Sequence, residues 1–408
     1  MIKGTILGID FSKEYTQIAY IDENGNPESI SFGTEDNYLI PSVMCYHENL
    51  KEWYVGEEAV NKEENPQCKF FIDLPEVIQQ QEEEKSYFMM QSYFSYLIHL
   101  AKKRSGQSVK NVLVTVEEVT PKLVEIISEA LFLLGFEEED FRVLSHSESF
   151  VYYMLNQNKD IWINQVYFFN FSKEKFENRR LKVIHGRGPS VAYVDVDDLS
   201  EMLTYDQLKE NPKQADQIFA KYLEEKFAHQ VVSGIYLSGD GFYEEDWAKS
   251  LSVMCGNRRV FKGNNLIVKG AAFAAKELFH IPNLENYLIS CKGRTRVKVT
   301  MAVKYKERDN TITLSNVGDY WSQAKSRAEC IMEQPTKAFF EVNDLLNQKK
   351  DQFELDLTGF PERPPKTTRI EVNFRYLDEK RFEIVIKDLG FGELFKSSGM
   401  EVSKIYEL

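Results

Sequence analysis

The chain has 408 residues, of which 43% are hydrophobic and 13% aromatic, and carries 50 Lys and Arg against 64 Asp and Glu. That length predicts two or three domains rather than one, and the apolar content is ample for packed cores. The formal net charge of −14 argues against non-specific nucleic-acid binding and against anionic membrane surfaces.

Residues 5–10, Thr-Ile-Leu-Gly-Ile-Asp, read as a short apolar strand ending on a carboxylate. Residues 11–14 form a turn, and 15–22 alternate back as the second strand of a hairpin. A third strand is expected at 29–32, then strands at 40–46 and 53–55 and a short helix from Gly56. The polar run 79–85 reads as a solvated helix end, and 87–103 as a long aromatic-rich helix closed by Ser105-Gly106. A buried strand at 112–116 is followed by Thr120-Pro121, which caps a helix with Leu123, Ile126, Ile127, Ala130, Leu131 and Leu134 on one stripe, stopped by Gly135. A strand at 141–144 and a helix over 149–156 complete the first half.

The second half opens on an echo. Asp10-Phe11-Ser12-Lys13-Glu14 and Asn170-Phe171-Ser172-Lys173-Glu174 are nearly the same pentapeptide, 160 positions apart (170 − 10). Each closes an apolar strand, which predicts two halves on one plan. A returning strand at 180–184, a meander running on through 186–189 to Asp195, a helix over 215–230, a strand at 234–238 and a closing helix over 264–278 follow. Beyond Pro282 the texture changes to β-rich runs at 294–305, 311–315, 338–342, 353–358, 368–376 and 381–386. Pro361, Pro364 and Pro365 break two of them. This stretch of about 120 residues predicts an all-β sandwich.

No 18-residue apolar run occurs and the first residues lead straight into a strand, so neither a transmembrane helix nor a signal peptide is expected, and the expected compartment is cytoplasmic. Cys45, Cys68, Cys255, Cys291 and Cys330 lack C-x-x-C spacing, which predicts reduced, structural thiols. Cys45 and His47 share one side of a strand, but two ligands do not make a metal site. Trp53, Trp162, Trp247 and Trp321 read as packing residues.

In their order these motifs resemble the DnaK-type heat-shock chaperone superfamily, over nearly the whole chain. Gly8-Ile9-Asp10 is similar to the first phosphate strand, and Ile40-Pro41-Ser42, Val55-Gly56-Glu57-Glu58-Ala59 and Asn65-Pro66 follow the first-lobe order. Leu237-Ser238-Gly239-Asp240-Gly241 sits where the adenosine-side glycines would be, and Val268-Lys269-Gly270-Ala271-Ala272 matches the last helix of the ATPase domain. Residues 353–361 and 369–388 resemble the end of the family's β-sandwich substrate domain. The resemblance implies an actin-like (ribonuclease H-like) α/β domain with lobes at 1–158 and 159–282, the second shortened, and a β-sandwich at 283–408 without the helical lid.

It also implies a site for ATP or ADP with Mg2+, whose candidates are Asp10, Ser12, Lys13, Ser172, Lys173, Gly239 and Gly241, with Asp10, His146 and Glu148 as candidates around an attacking water. The departures lie in the turns. The family's first turn is Gly-Thr-Thr and its second an Asp with three glycines, which bring backbone N–H groups to phosphate; here stand Ser12-Lys13-Glu14 and Asn170, Ser172, Lys173, Glu174. A Glu in each turn repels a polyphosphate, and Asn for Asp removes a metal-coordinating charge. The catalytic lysine falls near Leu74, the connecting glutamate falls on His146, and only about 60 residues separate the second turn from Gly239.

Plainer readings accompany each candidate. Ser-Lys-Glu is an exposed hairpin turn, Asp10 a turn-former, His146 a satisfied hinge histidine, and Gly239 and Gly241 what a strand-to-helix turn needs. The expectation is therefore a chaperone-related protein with a degenerate nucleotide site and no resident metal, binding a protein or extended peptide through its C-terminal β-domain. The alternative is an active ATP-dependent chaperone with variant phosphate loops.

Overall fold

The computed structural model describes residues 4–32, 37–185, 189–280, 282–305, 308–321, 323–333, 336–344 and 349–408. By its internal contacts the chain divides into two compact units, Met1–Val183 with Val194–Tyr287, and Ile184–Tyr193 with Leu288–Leu408. The first is mixed α/β; the second is almost wholly β.

In the first unit Thr5–Phe11 pairs antiparallel with Tyr15–Ile21 on one side and parallel with Val109–Val116 on the other. A strand so flanked is buried along its length, which is why 5–11 reads as a continuous apolar run instead of alternating. The sheet runs Pro27–Ser29, Tyr15–Ile21, Thr5–Phe11, Val109–Val116, Phe141–Ser145. The echo at Val166 folds the same way. Gln165–Phe171 pairs antiparallel with Phe176–Ile184 and parallel with Val232–Ser238, which is parallel to Arg259–Lys262. Ser190–Asp198 extends the far side. Both sheets thus place their strands in the order third, second, first, fourth, fifth, and the registers coincide: Asp10 lies opposite Gln17 and Thr115, Asn170 opposite Glu177 and Ser238.

Helices Glu83–Ser105 and Pro121–Leu133 bury their apolar stripes against the first sheet, in the core of Phe11, Tyr93, Phe94, Ile126 and Ile127. Thr120 caps the second of them, accepting from Leu123 N at 3.2 Å. The helix Leu266–Phe279 packs on Thr5–Phe11 and on helix His146–Leu155. A Cβ on Gly8 would sit 2.5 Å from Ala272 N, and one on Gly270 would overlap the Ser149 carbonyl. The small face of that helix is thus a packing requirement. The second half buries its own aromatic cluster of Phe169, Phe171, Phe176, Phe219, Phe242 and Trp247.

The second unit has two four-stranded sheets. One runs Arg308–Ser315, Val297–Tyr305, Lys337–Asp344, Lys349–Asp356, and the other Lys325–Met332, Thr368–Asp378, Arg381–Gly390, Glu401–Glu407. Val299, Phe340 and Leu355 from the first share one core with Ile370, Val372, Phe382 and Ile384 from the second.

Several expectations need correcting. The run expected as one strand at 40–46 is two, because the chain changes sheets: Ile40–Pro41 pairs with Tyr15–Ile21, while Met44–His47 is the middle of a three-stranded sheet with Glu52–Val55 and Cys68–Phe71. The third strand of the meander is Pro27–Ser29, not 29–32. The helix expected from 149 starts at His146. Strands Cys68–Phe71, Arg259–Lys262, Lys325–Met332 and Glu401–Glu407 were not foreseen; each lies at a sheet edge, where half the backbone and much of the side-chain surface stay wet and the apolar signal fades. Pro361, Pro364 and Pro365 interrupt no strand, lying in the connection from Lys349–Asp356 to Thr368–Asp378. Of the meander expected through 186–189 to Asp195, residues 186–188 lie outside the described residues and the strand Ser190–Asp198 covers its end.

Candidate functional site

The two hairpin turns face one another. Asp10, the last residue but one of strand Thr5–Phe11, is buried at 9% exposure, and its Oδ1 accepts from Ser12 Oγ at 2.6 Å. His146, the first residue of helix His146–Leu155, places Nε2 3.0 Å from the same oxygen and 3.5 Å from Ser12 Oγ. Asp10, Ser12 and His146, far apart in sequence, therefore form one cluster. It is not a nucleophilic relay, since that needs one imidazole nitrogen on the carboxylate and the other on the hydroxyl, whereas here one nitrogen meets both.

Glu148 does not join them. Ser145 accepts from Glu148 N at 3.2 Å and Glu148 Oε2 accepts from Ser145 N at 3.4 Å, a reciprocal capping box that turns the buried carboxylate back on its own helix. The capping signature Ser-x-x-Glu was legible in the sequence and sets the helix start.

In the second turn Ser172 N donates to Lys175 O at 2.9 Å and Lys175 N to Ser172 Oγ at 3.1 Å. Ser172 is thereby occupied in shaping the turn. Lys13 and Lys173 take different partners. Lys13 crosses to Glu174, with Nζ 3.0 and 3.3 Å from the two carboxylate oxygens, and lies 3.6 Å from Asp73. Lys173 lies 3.9 Å from Asp240. The Glu174 hydrogen bond outweighs burial and, with Asp73, raises the Lys13 ammonium above its ordinary value; burial and the nearby Glu174 raise the Glu14 carboxyl. Leu74, near which the family's lysine would fall, is buried, and its neighbour Asp73 has left-handed backbone at φ 54°.

Gly239 has φ +90°, and a Cβ there would overlap the Phe171 carbonyl; a Cβ on Gly241 would lie 2.7 Å from the Phe171 ring. Both glycines are needed for the helix start to close over the second hairpin. Asn264 joins this turn to the first sheet: its Oδ1 accepts from Gly239 N at 3.0 Å and Ser238 Oγ at 3.1 Å, and its carbonyl from Gln17 Nε2 at 3.0 Å.

Beneath the second turn runs a charged chain the sequence reading missed. Lys175 Nζ lies 2.6 Å from Glu117 and 3.0 Å from Glu177, and Glu177 is in tight contact with Arg179. Glu177 and Arg179 are each 3% exposed. Residues 175, 177 and 179 alternate along one strand face, so the +, −, + spacing was a readable signal. Burial by itself would raise Glu177; Arg179 and Lys175 outweigh it and hold the carboxyl at about 2. A depressed carboxyl contributes stability that is present above its unfolded value, about 4.3, and is lost as pH falls toward about 2. Glu177→Gln is expected to cost about 3 kcal/mol at pH 7 by leaving Arg179 buried without its counter-charge, and to flatten the loss of stability below pH ~4. Denaturant unfolding of both proteins at pH 7 and pH 3 checks this.

Among the described residues no three His, Cys, Asp or Glu side chains converge as a metal site, and no helix is long and apolar enough to cross a membrane. Fold and site together define a mixed α/β protein with a duplicated strand-turn-strand and a charge cluster between its two turns. The chain belongs to the family of unknown function DUF5716, whose C-terminal model matches residues 26–292. A domain of unknown function, DUF8552, matches residues 294–408. No curated protein matches the chain.

Proposed function

We propose that this protein is a non-hydrolysing relative of the DnaK-type chaperones, a cytoplasmic scaffold or regulatory module that holds a protein or extended peptide through its C-terminal β-rich unit. On this reading the first unit is an actin-like two-lobe domain with a shortened second lobe, and the second unit corresponds to a chaperone-like β-sandwich. The shared strand order of the two sheets and the matching registers of Asp10 and Asn170 support the fold assignment.

The observation that carries the functional reading is the ion pair from Lys13 to Glu174 and Asp73. It joins the two turns where a nucleotide's phosphates would have to lie. A polyphosphate entering there meets Glu14, Asp73, Glu174 and Asp240 and must break the pairs that neutralise Lys13 and Lys173. Exposed pairs of this kind contribute at most about 1 kcal/mol each, so the obstacle is the set of carboxylates more than the strength of any bridge.

The test is a thermal shift with Mg-ATP and Mg-ADP. A ligand at 100 times its Kd would stabilise the protein by about 2.7 kcal/mol; no shift is expected from either nucleotide. Tight, magnesium-dependent ATP binding would overturn the reading. It would favour an ATP-hydrolysing chaperone in which Asp10 and His146 orient the attacking water, the one reading that uses their 3.0 Å contact, and turnover would then be lost in Asp10→Ala.

A further inference from the structure

The five cysteines are all reduced thiols here, but two of them are not isolated. Met44–His47 is the central strand of the three-stranded sheet and Cys68–Phe71 one of its edges. In their antiparallel register Cys45 lies opposite Phe70 and Cys68 opposite His47. Cys45 and Cys68 are therefore diagonal neighbours on one face of the sheet. That register sets the two side chains side by side on the face they share. Cys45 is fully buried in a small cluster with Val43 and Ala59, against which Cys68 and Phe70 pack. Cys68 is only half-buried, and opens the edge strand just after the turn in which its N–H bonds to Asn65 O.

We propose that Cys45 and Cys68 form an oxidisable dithiol, a site at which hydroperoxides convert two thiols to an intramolecular disulfide. The asymmetry of burial assigns the roles. Cys68, the one open to solvent, attacks the peroxide oxygen; the O–O bond breaks, the thiol proton leaves with the departing hydroxide as water, and Cys68 becomes a sulfenic acid. Cys45 sulfur then attacks the Cys68 sulfur, and the sulfenic hydroxyl leaves with the Cys45 proton as a second water. Two thiols and one hydrogen peroxide give one disulfide and two waters, two electrons passing from the sulfurs to the peroxide.

The remaining movement falls on the Cys68 end of the strand, which is paired on one side only and so yields more readily than a strand held on both sides. Burial and the adjacent Cys68 push the Cys45 thiol up to about 11, which keeps it protonated until a sulfenic acid is presented to it. The new bond would tether the strand that leads into Asp73, the residue beside Lys13.

The experiment uses the full chain. The folded protein is treated with one equivalent of hydrogen peroxide, remaining thiols are blocked with N-ethylmaleimide in denaturant, and the protein is mapped by non-reducing peptide mass spectrometry. The expected result is one linked pair, Cys45 with Cys68, reversed by dithiothreitol, with Cys255, Cys291 and Cys330 labelled by maleimide. In Cys45→Ser the Cys68 sulfenic acid should accumulate and react with dimedone, whereas in Cys68→Ser residue 45 should stay a thiol. If peroxide instead oxidises Cys255 or links two chains while Cys45 and Cys68 both take up maleimide, or if the link forms only in unfolded protein, the proposal is overturned. The wild-type map decides by itself should the Cys45→Ser variant fail to fold.

Discussion

Gly270→Ala should destabilise the first unit by about 3 kcal/mol, the upper part of the range for overpacking a close-packed contact. Helix propensity predicts the opposite, because alanine is favoured over glycine by roughly 1 kcal/mol within a helix. Packing wins because the added methyl would overlap the backbone carbonyl of Ser149 and approach Tyr153 Cβ at 3.2 Å, and a backbone carbonyl inside a helix cannot swing aside. In a unit of this size the change should lower the unfolding midpoint by roughly 6–12 °C. Gly106→Ala is the control. Gly106 caps helix Glu83–Ser105 at φ 69° with open space around its missing Cβ, so its loss should be limited to the left-handed backbone cost of about 1–2 kcal/mol. Calorimetry of the two variants separates the effects; equal losses would mean that the helix Leu266–Phe279 does not lie so close to helix His146–Leu155.

Asp388→Ala should be the most damaging single change in the second unit. Asp388 and Arg363 have side chains 0% and 5% exposed and form a two-pronged pair at 2.6 and 2.7 Å. The same carboxylate accepts from Ser398 N at 2.8 Å, Ser398 Oγ at 2.6 Å and Gly390 N at 3.0 Å, while Arg363 also donates to Lys396 O at 2.9 Å. One ion pair thus organises the segment that carries Leu394, which is 91% exposed. Removing the carboxylate leaves a buried guanidinium and several donors unanswered, at a cost of about 3–5 kcal/mol. The midpoint should fall by roughly 10–20 °C.

Arg363→Ala should cost a comparable amount, and the double variant less than the sum, since each single change strands a charge that the double removes. Burial alone would raise the Asp388 carboxyl, but Arg363 and Ser398 outweigh it and hold it far below its ordinary value. The stability this pair contributes is therefore complete above the unfolded carboxyl value of about 3.9 and drains away as pH falls below it. Unfolding curves from pH 7 to pH 2 should show wild type losing that advantage over Asp388→Ala.

How much of this was legible depends on how local each signal was. The duplicated pentapeptide announced two similar hairpins, and the fold places both in equivalent positions of equivalent sheets. The Thr120-Pro121 helix start, the apolar strand after Lys110 and the stop at Gly106 were readable because caps and periodicity act within a few residues. Edge strands such as Glu401–Glu407 were missed because an edge needs no apolar alternation; none of its seven residues is buried.

The candidate cluster divides in the same way. Asp10, Ser12 and Lys13 were found from one hairpin turn, but their partners His146, Glu174 and Asp73 come from elements that sequence proximity does not connect. Arg363 likewise pairs with Asp388 across 25 positions (388 − 363), with no period linking them.

The sequence by itself determined the mixed α/β character of the first part, the β-rich character of the rest, the internal duplication, and two turns that carry Ser-Lys-Glu without glycine, because backbone propensity, alternation and composition are properties of short windows. Only the tertiary structure decided that Lys13 crosses to Glu174, that Glu148 caps its own helix, that Gly239 and Gly241 make room for Phe171, and that Cys45 and Cys68 share one face of a sheet. Those are outcomes of which elements pack together, and charge pairing, steric fit and strand register act over a few ångströms of space whatever the separation along the chain.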